Sequence, residues 1–186
     1  AIKGVHVLID AFAALRAKRP GLGLSLRIAG SGDAEYVARL EQQVQRLDLG
    51  DSVVFVGEQD IDGLVRLLAG ALVTVVPSLW YENLPNAILE SYACGTPVLA
   101  SNAGSLPECI DEGRTGHLFE PGDAEGLAER LGYCCDHPEA TAEMGGNART
   151  AAETVYSRER HLERLLRLFS ETARVPGRRV WAGRRA

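Results

Sequence analysis

Two carboxylates, Glu82 and Glu90, bracket the segment Pro77-Ser78-Leu79-Trp80-Tyr81-Glu82-Asn83-Leu84-Pro85-Asn86-Ala87-Ile88-Leu89-Glu90. The apolar run Leu72-Val73-Thr74-Val75-Val76 before it reads as a short buried strand. Asn86 to Cys94 reads as a helix that Gly95-Thr96-Pro97 closes. One acid therefore falls in a strand-to-helix loop and the other about one turn into the helix. Loops at the carboxyl ends of parallel strands are where open α/β sheets bind ligands. The unpaired N–H groups of a helix start favour anions, phosphates above all. Such a cradle between two carboxylates suits a nucleotide sugar, with its diphosphate between two hydroxyl-rich rings.

The elements that must position those acids alternate along the chain. Val5 to Lys18 carries apolar residues at helical spacing and ends at Pro20-Gly21. Leu24 to Ala29 reads as a strand turned by Gly30-Ser31-Gly32, after which Asp33 caps a helix running to about Asp48. Val53 to Gly57 is the next strand, and Asp62 is expected to cap a short helix ending at Ala69. Pro97 to Ala100 and Gly116 to Phe119 complete the strands, with a helical turn expected within Leu106 to Asp111. Helices follow at about 123–135, 138–153 and 158–173. This alternation predicts βαβ units, and hence an α/β, Rossmann-like parallel sheet with helices on both faces. A doubly wound sheet ordinarily opens on a strand, whereas this chain opens on a helix, so a fragment lacking its first strand is expected.

Bulk properties narrow the classes. The chain has 186 residues and a net charge of −5, enough for one domain with a substantial core. Arg174, Arg178, Arg179, Arg184 and Arg185 make residues 174–186 a basic tail, and without them residues 1–173 carry −10. An acidic body argues against nucleic acid as a partner, while the tail could touch an anionic membrane. No stretch has the apolar length of a membrane span, and a cytoplasmic protein is expected, with peripheral contact at the inner membrane face. Cys94, Cys109, Cys134 and Cys135 form no C-x-x-C pair and read as reduced thiols. Asp60-Ile61-Asp62 has the spacing of a metal-nucleotide motif, but Asp62 reads better as a cap. Position 35 is Glu35, so Gly30-Ser31-Gly32 lacks the third glycine of a dinucleotide fingerprint. Gly30 and Gly32 are instead expected to let a phosphate approach the backbone.

From residue 3 to about 172 the chain resembles the C-terminal, donor-binding domain of retaining GT-B glycosyltransferases, the group 1 enzymes with an E-x7-E motif. The matching text is Lys3-Gly4, Ile28-Ala29-Gly30-Ser31-Gly32, Val54-Phe55-Val56-Gly57, Pro77-Ser78, Glu82 through Glu90 and Ala93 to Val98. Ala103 to Glu108 and Gly113-Arg114-Thr115-Gly116 continue it. The resemblance implies that Glu82 faces the donor sugar ring and that Glu90 holds the ribose hydroxyls. It implies a diphosphate role for Lys3, with Glu82 and Lys3 forming the catalytic pair. The backbone of Asn83, Leu84 and Asn86 would lie near the sugar and diphosphate, and Gly104, Ser105 and Leu106 would add N–H groups. No metal or cofactor is required, the nucleotide diphosphate sugar being a co-substrate. The acceptor would be a glycan, lipid or small molecule, held largely by an N-terminal domain outside this chain. Two departures stand out, Asn83-Leu84-Pro85 after the first glutamate and Gly104-Ser105 where relatives often carry two glycines; they leave the sugar open. A non-catalytic module of the same fold, or a GT-B nucleotide-sugar epimerase, is the alternative.

Overall fold

Asp33 accepts the Tyr36 N–H at 3.0 Å and so starts a helix where its position predicts one. The same local chemistry recurs along the chain, whose computed structural model describes residues 2–173. The basic tail, 174–186, lies outside the described residues. In chain order the elements are α1 (Val5–Lys18), β1 (Leu26–Ala29), α2 (Ala34–Arg46), β2 (Val53–Gly57), α3 (Ile61–Ala69), β3 (Thr74–Val76) and α4 (Asn86–Ala93). Then come β4 (Val98–Ser101), α5 (Leu106–Cys109), β5 (Gly116–Phe119), α6 (Ala124–Asp136), α7 (Pro138–Thr154) and α8 (Arg158–Ala173).

All strand pairs are parallel, as the alternation requires. They form two ladders, β1–β2 and β3–β4–β5, and no ladder joins β1 to β3. Leu99 on β4 sits opposite Val75 on one side and His117 on the other. Both ladders nevertheless share a core. Leu8, Ala11 and Leu15 of α1 pack with Leu99, Leu127 and Leu131, and Leu24, Leu26, Val73 and Val75 join that cluster. On the opposite face Ile88 and Tyr92 of α4 pack with Val98, Ala100, Leu106 and Ala148. Helix α1 also turns Ile9 and Phe12 toward Leu40, Val44 and Val53. Between β1 and β3 lies a cleft of about 840 Å³.

The sheet is parallel, as expected, and falls into two ladders, β1 and β3 having no ladder partner on the cleft side. Two expectations are corrected. Strands β1 and β3 are shorter than their apolar runs: Leu24 turns back to donate its N–H to the Leu22 carbonyl at 2.8 Å. The cap of α3 is Asp60 rather than Asp62, since the Asp60 side chain takes the Gly63 N–H at 2.7 Å. The four cysteines are free thiols.

Candidate active site

The loop after β3 is held by the start of α1. Gly4 has φ 68°, and a Cβ there would stand 1.8 Å from the Pro77 carbonyl oxygen, so only glycine lets these segments meet. The Leu79 N–H donates to the Ile2 carbonyl at 2.8 Å and completes the contact. That docking brings Lys3 to the loop, where its Nζ donates to Glu82 Oε1 at 2.6 Å. The buried Ser78 hydroxyl donates to the same oxygen at 2.9 Å.

Glu82 is clamped through its backbone as well. Ser105 directs its N–H and its Oγ–H to the Glu82 carbonyl at 3.2 and 3.0 Å. Gly104 has φ 59°, and a Cβ there would lie 2.8 Å from that carbonyl oxygen. The Lys3 ammonium holds the Glu82 carboxyl below its ordinary range; partial burial opposes this and the Ser78 hydroxyl reinforces it. A charged acceptor, 16% exposed, thus stands beside a cation at the mouth of a loop.

Helix α4 begins immediately after this loop. Pro85 occupies its N-cap, one place earlier than the first-turn position its sequence suggests, and caps nothing with its side chain. The first turn holds no acidic residue. Among the described residues the N–H groups of Asn83, Leu84, Asn86 and Ala87 have no protein acceptor. With the helix dipole behind them, these donors make the entrance to α4 attractive to anions. Trp80 and Tyr81 are exposed beside it.

Glu90, one turn further along α4, is exposed and lines the cleft between the ladders together with Gly30, Pro77 and Ala87. The expected residues therefore gather in two adjoining groups. Lys3, Glu82, Gly104 and Ser105 form the first, Gly30 and Glu90 the second, and residues 83–86 connect them. Gly32 belongs to neither and stands in the turn before the Asp33 cap, nearest the Val37 side chain. Leu106 is fully buried, and its N–H donates to the Ala103 carbonyl at 3.1 Å. The Ser105 and Leu106 amides are thus engaged within the protein, the first on the Glu82 carbonyl and the second on that of Ala103.

Gly4 and Ser78 stand in the matching text, yet periodicity assigns neither a task. Their signal is tertiary: a glycine with positive φ pressed on a proline carbonyl, and a buried hydroxyl aimed at a carboxylate. Asp60 is committed to its cap, and no cluster of three or more His, Cys, Asp or Glu that could hold a metal forms among the described residues. Nor is any described helix long and apolar enough to cross a membrane.

Unpaired amides at a strand-to-helix loop of a parallel α/β scaffold stand where such sheets bind phosphorylated ligands. The family comparison agrees. The model of the family described as "Glycosyl transferases group 1" matches residues 1–151, and the chain belongs to that family. It is 34% identical over 158 residues to the MMP alpha-(1->4)-mannosyltransferase of Mycolicibacterium hassiacum, covering 84% of this chain and 37% of that protein. It is also 34% identical over 168 residues to the D-inositol 3-phosphate glycosyltransferase of Pseudarthrobacter chlorophenolicus, covering 84% of this chain and 39% of that protein. Among solved structures it is similar to Anabaena HepE in complex with UDP, with a TM-score of 0.83 and 28% identity over 91% of this chain and 46% of that one. The chain thus spans less than half the length of each of these proteins.

Proposed function

We propose that this chain is the donor-binding half of a retaining glycosyltransferase with the GT-B architecture. Glu82 and Glu90 form the E-x7-E pair, Glu82 receiving hydroxyls of the donor sugar and Glu90 those of the ribose. The diphosphate lies against the amides of Asn83, Leu84 and Asn86, with Lys3 as its cation and Gly30 at the cleft's far wall. The observation that carries this reading is the entrance to α4, where unpaired N–H groups stand between a Lys3-paired Glu82 and a cleft-lining Glu90. HepE, a structural neighbour, is described in complex with UDP and with UDP-glucose.

Glycosyl transfer from such a donor breaks the bond between the anomeric carbon and the diphosphate oxygen and forms one from that carbon to the acceptor oxygen, whose proton passes to the departing diphosphate. Negative charge grows on the leaving phosphate while the sugar becomes oxocarbenium-like. Lys3 and the amides of Asn83, Leu84 and Asn86 stabilise that charge, and fixed donors need little reorganisation. This chemistry requires no metal. The acceptor is held by a further domain of the full-length protein. The test is to incubate full-length protein with candidate nucleotide sugars and acceptors and read the product's anomeric configuration by NMR. Retention supports the reading. Inversion, or donor epimerised without transfer, contradicts it.

A further inference from the structure

Resting on the donor reading, a second residue acts on the sugar side of the site without touching the ligand. Ser78 is 1% exposed and follows the exit of β3. Its hydroxyl carries a single hydrogen. The acceptors within reach are Glu82 Oε1 at 2.9 Å, the Trp80 carbonyl at 3.3 Å and the Ile2 carbonyl at 3.4 Å. The ionised acceptor is both the nearest and the strongest, so the proton goes to Glu82. The Trp80 N–H in turn donates to Ser78 Oγ at 3.4 Å.

Oε1 of Glu82 therefore receives two donors, Lys3 Nζ and Ser78 Oγ, while Oε2 receives none among the described residues. A carboxylate accepts about four hydrogen bonds, so the free oxygen has capacity for ligand hydroxyls. Lys3 alone cannot fix the carboxylate: its side chain is 66% exposed and flexible. Ser78 is buried on a short side chain, and the Glu82 backbone is already held by Ser105. The only freedom left to Glu82 is its side-chain torsions, which a bond from a buried hydroxyl restricts.

We propose that Ser78 is a positioning residue for donor-sugar recognition: with Lys3 it occupies one oxygen of Glu82, so that the other is presented to the sugar ring. Binding groups held in place by a second layer of contacts lose less entropy on binding.

The test is calorimetric titration of the full-length protein with UDP, UDP-glucose, GDP and GDP-mannose. Variants S78A, E82A and Y92F are measured alongside, with thermal midpoints for each. Tyr92 is fully buried, and its hydroxyl donates to the Cys109 carbonyl and accepts from the Thr115 hydroxyl in the core, so Y92F reports the general cost of losing a buried hydroxyl. S78A is expected to keep nucleoside diphosphate affinity within about twofold and to weaken nucleotide sugar binding about fivefold or more. E82A is expected to weaken nucleotide sugar binding further, and Y92F to lower the midpoint without changing the ratio of the two affinities. If S78A does not fold, S78C, close in size and a weak donor, carries the same expectation. If E82A lowers the ratio and the Ser78 variant leaves it at the wild-type value, the positioning role is overturned and the donor reading stands. No binding of any of the four, or an E82A ratio equal to wild type, overturns both.

Discussion

The β3–β4–β5 ladder and the β1–β2 ladder are built from the same kinds of residue yet differ in depth. Every residue of β4 is buried, because it has a strand on each side and helices on both faces. In β1 half-buried and exposed residues alternate, and all of β3 is half-buried, the two strands bordering a common cleft. A strand becomes a core strand only through its neighbours. Apolar runs such as Leu24 to Ala29 and Leu72 to Val76 record which strands are meant for burial, while pairing decides how much burial they reach. The difference also divides labour. The three-stranded unit carries the clamped acid, Glu82, and the entrance to α4. The two-stranded unit contributes the opposite wall through Gly30, a place where a ligand can enter without displacing packed side chains.

The largest test of that contrast is a pair of truncations. L99A, on the fully buried central strand, should lose about 2–5 kcal/mol of stability, whereas L26A on half-buried β1 should lose about 1 kcal/mol. Equal losses in chemical denaturation would erase the distinction. Glycines sharpen it next. Gly4 and Gly30 both have positive φ, but a Cβ at Gly4 would meet the Pro77 backbone and one at Gly30 would meet nothing within 4 Å. G4A should cost about 3 kcal/mol or more, and G30A about 1–2 kcal/mol of backbone strain alone. Thermal midpoints would read both.

Binding comes third. E90A should weaken UDP or GDP binding about tenfold through lost ribose hydrogen bonds, with stability nearly unchanged because Glu90 is exposed. The smallest effect concerns pH. Lys3 holds the Glu82 carboxyl below its ordinary value of 4.5, so the pair stabilises the fold above that pH and the contribution fades as pH falls through the depressed folded value. K3A should reduce this acid-side slope, worth less than about 1 kcal/mol because Lys3 is largely exposed. A slope unchanged in K3A would show that the pairing contributes nothing in solution.

Local chemistry was legible wherever a single residue type decided the outcome. The periodicity of α1, the Asp33 cap and the span of β5 agree with the structure at residue level. Asp62 reads as the cap from the sequence, but Asp60 is the residue that takes the Gly63 N–H, a reach that only the folded backbone shows. The split sheet was not legible, since pairing depends on residues distant in the chain. The placing of Glu82 and Glu90 on a loop and a following helix could be read from turn and helix signals alone. The ring of contacts around Glu82 could not: Lys3, Ser78 and Ser105 are 79, 4 and 23 residues away in sequence.

The central claim is that a nucleotide sugar rests at the entrance to α4 between the two acids. Amide shift mapping of the isotope-labelled chain, titrated with UDP-glucose and with GDP-mannose, tests it most directly. The account predicts saturable shifts at Gly30, Asn83, Leu84, Ala87 and Glu90 with at least one of the two. Shifts confined to α6 to α8, or none at millimolar ligand, would contradict it.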